Sequence, residues 1–158
     1  MTEKTRQLIL YLLKNHPGSS ITNLMKLAYL TDLISVKRNK KQISNFEYKR
    51  HYYGPFDKRI YQYVEGLTEA GIVGAKSDFG ITGEEFSVFS INPEKEKEIS
   101  FDKLESEEID ILDELLGSVR GYGAKLLTEI AYQTKPMKKL GATIGGTEKL
   151  GETLDLKI

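Results

Sequence analysis

Tyr29 and Asp32 stand three residues apart, so in a helix they share one face. A tyrosine offers apolar area with a hydroxyl at its tip, and an aspartate accepts strong hydrogen bonds, so the pair could anchor a contact to a partner. Equally, Asp32 could hold a neighbouring turn or pair with Arg50 or Arg59. Tyr48, Tyr52, Tyr53, Tyr61 and Tyr63 form a dense aromatic group, suited either to an interface or to packing beside a sheet. Lys37, Arg38, Lys40, Lys41, Lys49, Arg50 and Arg59 form a basic set that could meet an acidic protein surface, DNA phosphates or only solvent. Glu105, Glu107, Glu108, Asp110, Asp113 and Glu114 could mimic nucleic acid, shield a basic partner or simply clothe a helix exterior. Close carboxylates can serve general acid–base chemistry, but nothing here marks a pocket or a nucleophile.

Other chemistry is set aside by composition. There is no cysteine, which removes disulfides, thiolate nucleophiles and thiolate metal sites. The two histidines, His16 and His51, lack helical spacing, so a histidine-built metal site is not expected. Gly145-Gly146-Thr147-Glu148-Lys149 lacks the glycine-lysine-serine/threonine ending of a phosphate-binding loop and follows no clear strand. No catalytic residue, metal, cofactor or small-molecule substrate is therefore expected.

The 158 residues, 39% hydrophobic and 29% charged, suit one soluble domain with a real core. The net charge of zero hides an asymmetry. Residues 1–60 hold 12 lysines and arginines against 4 aspartates and glutamates, and residues 61–158 hold 11 against 19. Either the molecule has a basic and an acidic surface, or the two halves interleave in space. The start, Met1-Thr2-Glu3-Lys4, is followed by no long apolar run, so neither a secretory leader nor a membrane span is expected and the default location is cytoplasmic.

These residues need elements to position them. Leu8, Ile9, Leu12 and Leu13 predict a helix over Thr5 to Asn15, stopped by Pro17-Gly18. A second helix, apolar on most sides and so central to the core, is predicted from about Ile21 to Val36, followed by a basic turn, residues 37–41. Alternation around Phe46, Tyr48 and Tyr52 predicts an extended segment closed by Tyr53-Gly54-Pro55. A third helix is predicted from about Asp57, as N-cap, to Ala70. A short strand at Ile72 and Val73, a loop over Ser77 to Glu85 and a strand from Phe86 to Ile91 complete a winged-helix outline. Ser106 starts a fourth helix and Ala124 to Tyr132 is a fifth. The expected fold is mainly α (α+β), with a winged-helix-like N-terminal half and a small antiparallel hairpin or three-stranded sheet. Residues 1–140 form the domain, and 141–158 a glycine-rich tail, loosely held or docked as a short element.

Three pieces carry a resemblance. Lys26-Leu27-Ala28-Tyr29-Leu30-Thr31-Asp32 resembles the Lys-Leu-x-Tyr-x-x-Asp signature of the SocA-like, or Panacea, antitoxin-associated domain family. Tyr53-Gly54-Pro55 is similar to that family's Tyr-Gly-Pro turn, in the right place after an extended stretch and before a helix. Gly121-Tyr122-Gly123 through Leu126, Ala131, Tyr132 and Pro136 is more loosely similar to its last helix. Many members carry a Thr-His pair and a tryptophan near the third piece; here Ala131-Tyr132 and Pro136-Met137 stand, with no tryptophan in the chain.

The resemblance implies an antitoxin that neutralises a co-encoded protein toxin by direct contact. The expected contact is a groove between the second and third helices and the Tyr53 turn, with Tyr29, Asp32, Tyr52, Tyr53, Gly54 and Pro55 binding the partner and the basic set as its rim. The family pairs with unrelated toxin folds, so it does not name the toxin. Alternatives are a winged-helix DNA-binding regulator of its own operon and an adaptor delivering a partner to a protease. For DNA, Glu65 and Glu69 are ill placed, since they would repel phosphate from the third helix.

Overall fold

A computed structural model describes residues 1–158. Helix α1, Glu3–Asn15, starts where the Thr2 side chain accepts the Thr5 amide at 3.1 Å. It ends at His16, with Gly18 at a φ of 76° turning the chain. Ser20 caps α2, Ile21–Asn39, through the Asn23 amide. This helix outlasts the expected end at Val36 and stops at Lys40, whose φ is 64°. Lys37 and Arg38 are thus the last helical turn rather than a basic loop, where their charge suits the negative end of the helix.

Every residue from Asn23 to Asp32 is buried, so α2 is sheathed on all sides, as its composition predicts. It packs against α1, the later helices and the first hairpin. Residues 40–48 contain no strand. The alternation there is real, with Phe46 and Tyr48 buried and Glu47 and Lys49 exposed, but the backbone bonds to side chains rather than to a neighbouring strand. Only β1, Lys49–His51, and β2, Gly54–Phe56, pair, antiparallel with Arg50 opposite Pro55.

Helix α3, Ile60–Glu69, begins three residues after the expected cap, Asp57. The Asp57 carboxylate accepts the Arg59 amide at 2.9 Å and holds a turn ahead of the helix. Strands β3, Val73–Phe79, and β4, Glu85–Ile91, form a longer hairpin than expected, because pairing continues to Phe79 opposite Glu85 and leaves a short loop. Ser19 bridges to Phe89, which ties the loop between α1 and α2 to β4. After a 3-10 helix, Pro93–Glu98, come α4, Ser106–Ser118, α5, Ala124–Tyr132, and α6, Lys135–Lys139. At the start of α4 the Glu105 amide donates to Glu108 Oε1 at 2.9 Å.

The protein is mainly α with two small antiparallel hairpins in separate sheets. The segment after Gly141 lies along β1. The Arg50 amide donates to the Glu152 carbonyl, the Gly151 amide to the Arg50 carbonyl and the Leu154 amide to the Tyr48 carbonyl, while Leu154 and Leu156 join the core. The charge halves interleave: Arg38 meets Glu114 at 2.7 Å, Lys41 meets Glu105 at 3.2 Å and Lys4 meets Glu108 at 2.8 Å. No helix is long and apolar enough to cross a membrane.

Candidate functional site

Asp32 is an internal anchor. Its carboxylate accepts the Ile43 amide at 2.9 Å, the Ser44 amide at 3.0 Å, the Ser44 hydroxyl and the Tyr48 hydroxyl at 2.6 Å. Burial pushes its pKa up, and these donors pull it back part of the way. The four bonds bind the strandless segment 43–48 to α2. Asp32 therefore holds neither the Tyr53 turn nor Arg50 or Arg59. Tyr29, one turn back, is also buried; its ring meets Tyr48 edge-on at 5.3 Å. The Thr134 hydroxyl donates to the Ala131 carbonyl, so the Tyr29 hydroxyl donates to Thr134 Oγ1, at 2.7 Å. Burial raises the Tyr29 pKa to about 12. Neither residue reaches the surface; Asp32 fixes residues 43–48 and Tyr29 packs on Tyr48.

Lys26 is the third polar residue of that helix face. It is 2% exposed, has no ion pair or hydrogen bond, and burial lowers its pKa to about 8. Its side chain runs beneath Gly54: a Cβ built there would sit 2.9 Å from Lys26 Cε. Gly54 also has a φ of 113°, so the turn needs glycine twice over. The sequence singles out Lys26 by its place among Leu24, Met25, Leu27 and Ala28, a signal that composition alone hides.

The turn is fastened from its other side by Arg50, placed in the basic rim by sequence but buried in the structure. Its guanidinium donates to the carbonyls of Thr143 at 2.9 Å, Glu148 at 3.0 Å and Gly146 at 3.2 Å, to His51 O, and to the Tyr132 hydroxyl at 3.0 Å. It also pairs with Glu148. The Tyr132 hydroxyl in turn donates to the Tyr52 carbonyl at 2.7 Å. Gly145 donates to the same carbonyl at 2.9 Å. A rigid fork of donors is what makes an arginine fit here. Arg59 is likewise committed, to Asp57 at 2.6 Å and to the Asn45 carbonyl at 2.6 Å. At Asp57 burial acts to raise the carboxyl pKa, but the bonds from Arg59 and the Glu47 amide outweigh it and the net shift is downward.

What remains outside is aromatic. Tyr53 is 61% exposed, Tyr61 54% and Tyr52 44%, while Tyr48 and Tyr63 are core. Tyr52, His51, Phe56 and Tyr61 form a row of successive ring contacts at 5.7, 5.3 and 5.9 Å. Gly54 and Pro55 are buried beneath it. On one flank, a groove of about 670 Å³ carries Lys49, Lys58 and Arg59. Lys37 and Lys40 lie apart from this row, beside a second groove of about 590 Å³ with Lys135 and Pro136. Lys37, Lys40 and Lys49 make no ion pair, whereas Arg38 and Lys41 do. No three histidine, aspartate or glutamate side chains converge as metal ligands would.

Fold and surface together define a small mainly α domain that fixes a tyrosine turn from below and behind and presents it to solvent. The chain belongs to the family described as antitoxin SocA-like, Panacea domain, whose model matches residues 24–136. That span holds Lys26, Asp32, the Tyr53 turn and Tyr132, while Arg50's partners Thr143, Gly146 and Glu148 lie beyond it. Neither a curated protein nor a solved structure gives a significant match.

Proposed function

We propose that this protein is a non-enzymatic antitoxin that neutralises a co-encoded protein toxin in the cytoplasm by direct binding. The observation that carries this reading is the ring row Tyr52, His51, Phe56 and Tyr61, which runs from the hairpin to α3, with Tyr53 exposed beside it on a turn fixed by Arg50 and Lys26. Rings held in place before binding lose little entropy on contact and supply large area with polar tips. Tyr52, Tyr53 and Tyr61 touch the toxin. Gly54 and Pro55, both buried, shape the turn that carries Tyr52 and Tyr53, while Tyr29 and Asp32 are buried inside the core and touch no partner. An interface of ordinary size here would cover or distort the toxin's active site. The unpaired Lys37, Lys40 and Lys49 steer an acidic partner surface during encounter.

The test is growth rescue. The product of the adjacent reading frame is expressed alone and then with this protein. Arrest by the neighbour, relief by this chain and co-purification of the two support the reading. A harmless neighbour overturns it, and retardation of promoter DNA by this protein would then make it a regulator. Loss of the neighbour by proteolysis, rather than its capture intact, would make it an adaptor. Within a complex, Tyr53→Ala lowers affinity without lowering stability, and reversing Lys37 and Lys40 to glutamate slows association at low salt.

A further inference from the structure

A groove of about 550 Å³ lies between the start of α2, the outer face of α3 and strand β4. Ile21, Val64 and Phe89 form its floor, and Tyr61 and Phe86, 54% and 40% exposed, stand as its walls. Its charges are Glu65 and Glu69, four residues apart on one face of α3, with no lysine or arginine among the lining residues. Neither carboxylate is in an ion pair. Both sit in the second half of α3, whose last turn holds no basic residue, so the negative end of the helix works against them. Uncompensated carboxylates beside exposed apolar walls call for a ligand that is cationic on one side and apolar on the other. Backbone pairing is not on offer along the floor, because Phe89 already accepts from the Gly18 amide at 2.9 Å and donates to the Ser19 carbonyl at 2.8 Å. Most of the remaining lining is side chains of α2 and α3, which suits a helix laid in the groove.

We infer that this groove receives a basic amphipathic helix of the protein partner. The inference rests on the antitoxin reading for the identity of that partner, and it extends the interface, since Tyr61 belongs both to the groove and to the aromatic row. It also makes α3 a protein-binding helix, closed to the phosphate backbone of DNA by its own glutamates.

The experiment uses two defined probes and one biological one. Isotope-labelled protein is titrated with a synthetic amphipathic peptide of leucine and lysine, and with its leucine and glutamate counterpart. The basic peptide should give saturable NMR shifts at Ile21, Tyr61, Glu65, Glu69 and Phe86, bind at least about tenfold tighter than the acidic one, and weaken about tenfold in the Glu65→Gln/Glu69→Gln double variant, which keeps shape and removes charge. Equal binding of both peptides, or shifts confined to other faces, overturns the inference. The same double variant should weaken the complex with the neighbouring gene product about tenfold. Unchanged affinity in an otherwise intact complex overturns the groove and leaves the antitoxin reading standing. A neighbour that binds neither form overturns the antitoxin reading, while the peptides still decide the groove.

Discussion

Lys26 and Gly54 touch: the lysine side chain fills the space that a Cβ at position 54 would need, 2.9 Å from Lys26 Cε. The contact joins the α2 signature to the Tyr-Gly-Pro turn, two motifs separate in sequence and continuous in space. The lysine stem, rather than its charge, does the packing.

The charge should therefore cost stability. The unfolded chain holds the Lys26 proton up to about 10.5, whereas the folded chain releases it near 8. Between those values the unfolded state binds more protons, so stability gained from Lys26 rises as pH rises through the window. Lys26→Met keeps the stem's volume and removes the charge. It should be more stable than wild type at neutral pH by roughly 1–3 kcal/mol, with the difference shrinking as pH approaches 10. Urea denaturation of both proteins at several pH values measures this; a variant less stable at every pH would show that the amine has a partner in the folded protein.

Gly54→Ala should destabilise by about 1–3 kcal/mol, because alanine is strained at a φ of 113° and its methyl meets the lysine. In a Lys26→Ala background the collision is gone and only the backbone strain stays. The cost of Gly54→Ala should then be smaller, and a double-mutant cycle by denaturation reads the difference. Additive costs would mean that the two residues do not press on each other.

Asp32→Asn places an amide among donors that all point at the carboxylate. With its oxygen toward the two backbone amides, its NH2 takes the place of the acceptor for the Ser44 and Tyr48 hydroxyls, whose protons lose their partner in a dry site, and the expected cost is about 2–4 kcal/mol. Tyr53→Ala, on the open surface, should cost within about 0.5 kcal/mol. Thermal melts of the two variants separate them. An Asp32→Asn protein as stable as wild type would remove its role as anchor.

Arg50→Lys keeps the charge and loses the fork. Lysine cannot reach the carbonyls of residues 143, 146 and 148 together, so the segment after Gly141 should loosen. Hydrogen exchange at the Gly145 and Gly151 amides, which bond to Tyr52 and Arg50, should speed up while the α2 amides stay protected. Unchanged exchange at both glycines would show that backbone bonds alone hold the segment.

The helices were legible because a one-sided apolar period of 3.6 is local information: α1 and α5 fall close to their expected residues, and α2 and α4 are in place. The turn at Gly54 was legible from its own three residues. Residues 40–48 were misread because alternation records which side chains are buried and not what the backbone bonds to; here the acceptor, Asp32, lies a helix away. The far half of β3 is not legible because it is exposed on both faces and carries no apolar pattern, although its pairing continues to Phe79. Arg50 and Lys26 look in composition like any surface cation, and only the chain around them makes them internal. Of the tyrosine group, Tyr48 and Tyr63 went to the core and Tyr52, Tyr53 and Tyr61 to the surface, a division decided by tertiary contacts rather than by spacing.

The long reach from Arg50 to Glu148, 98 residues apart, sets an order of events during synthesis. The helices up to α5 can collapse while the ribosome is still adding residues. The tyrosine turn cannot be locked until residues 143–154 have left the exit tunnel and folded back along β1. A chain that folds as it emerges therefore forms its helical core first and fastens the Tyr53 turn last.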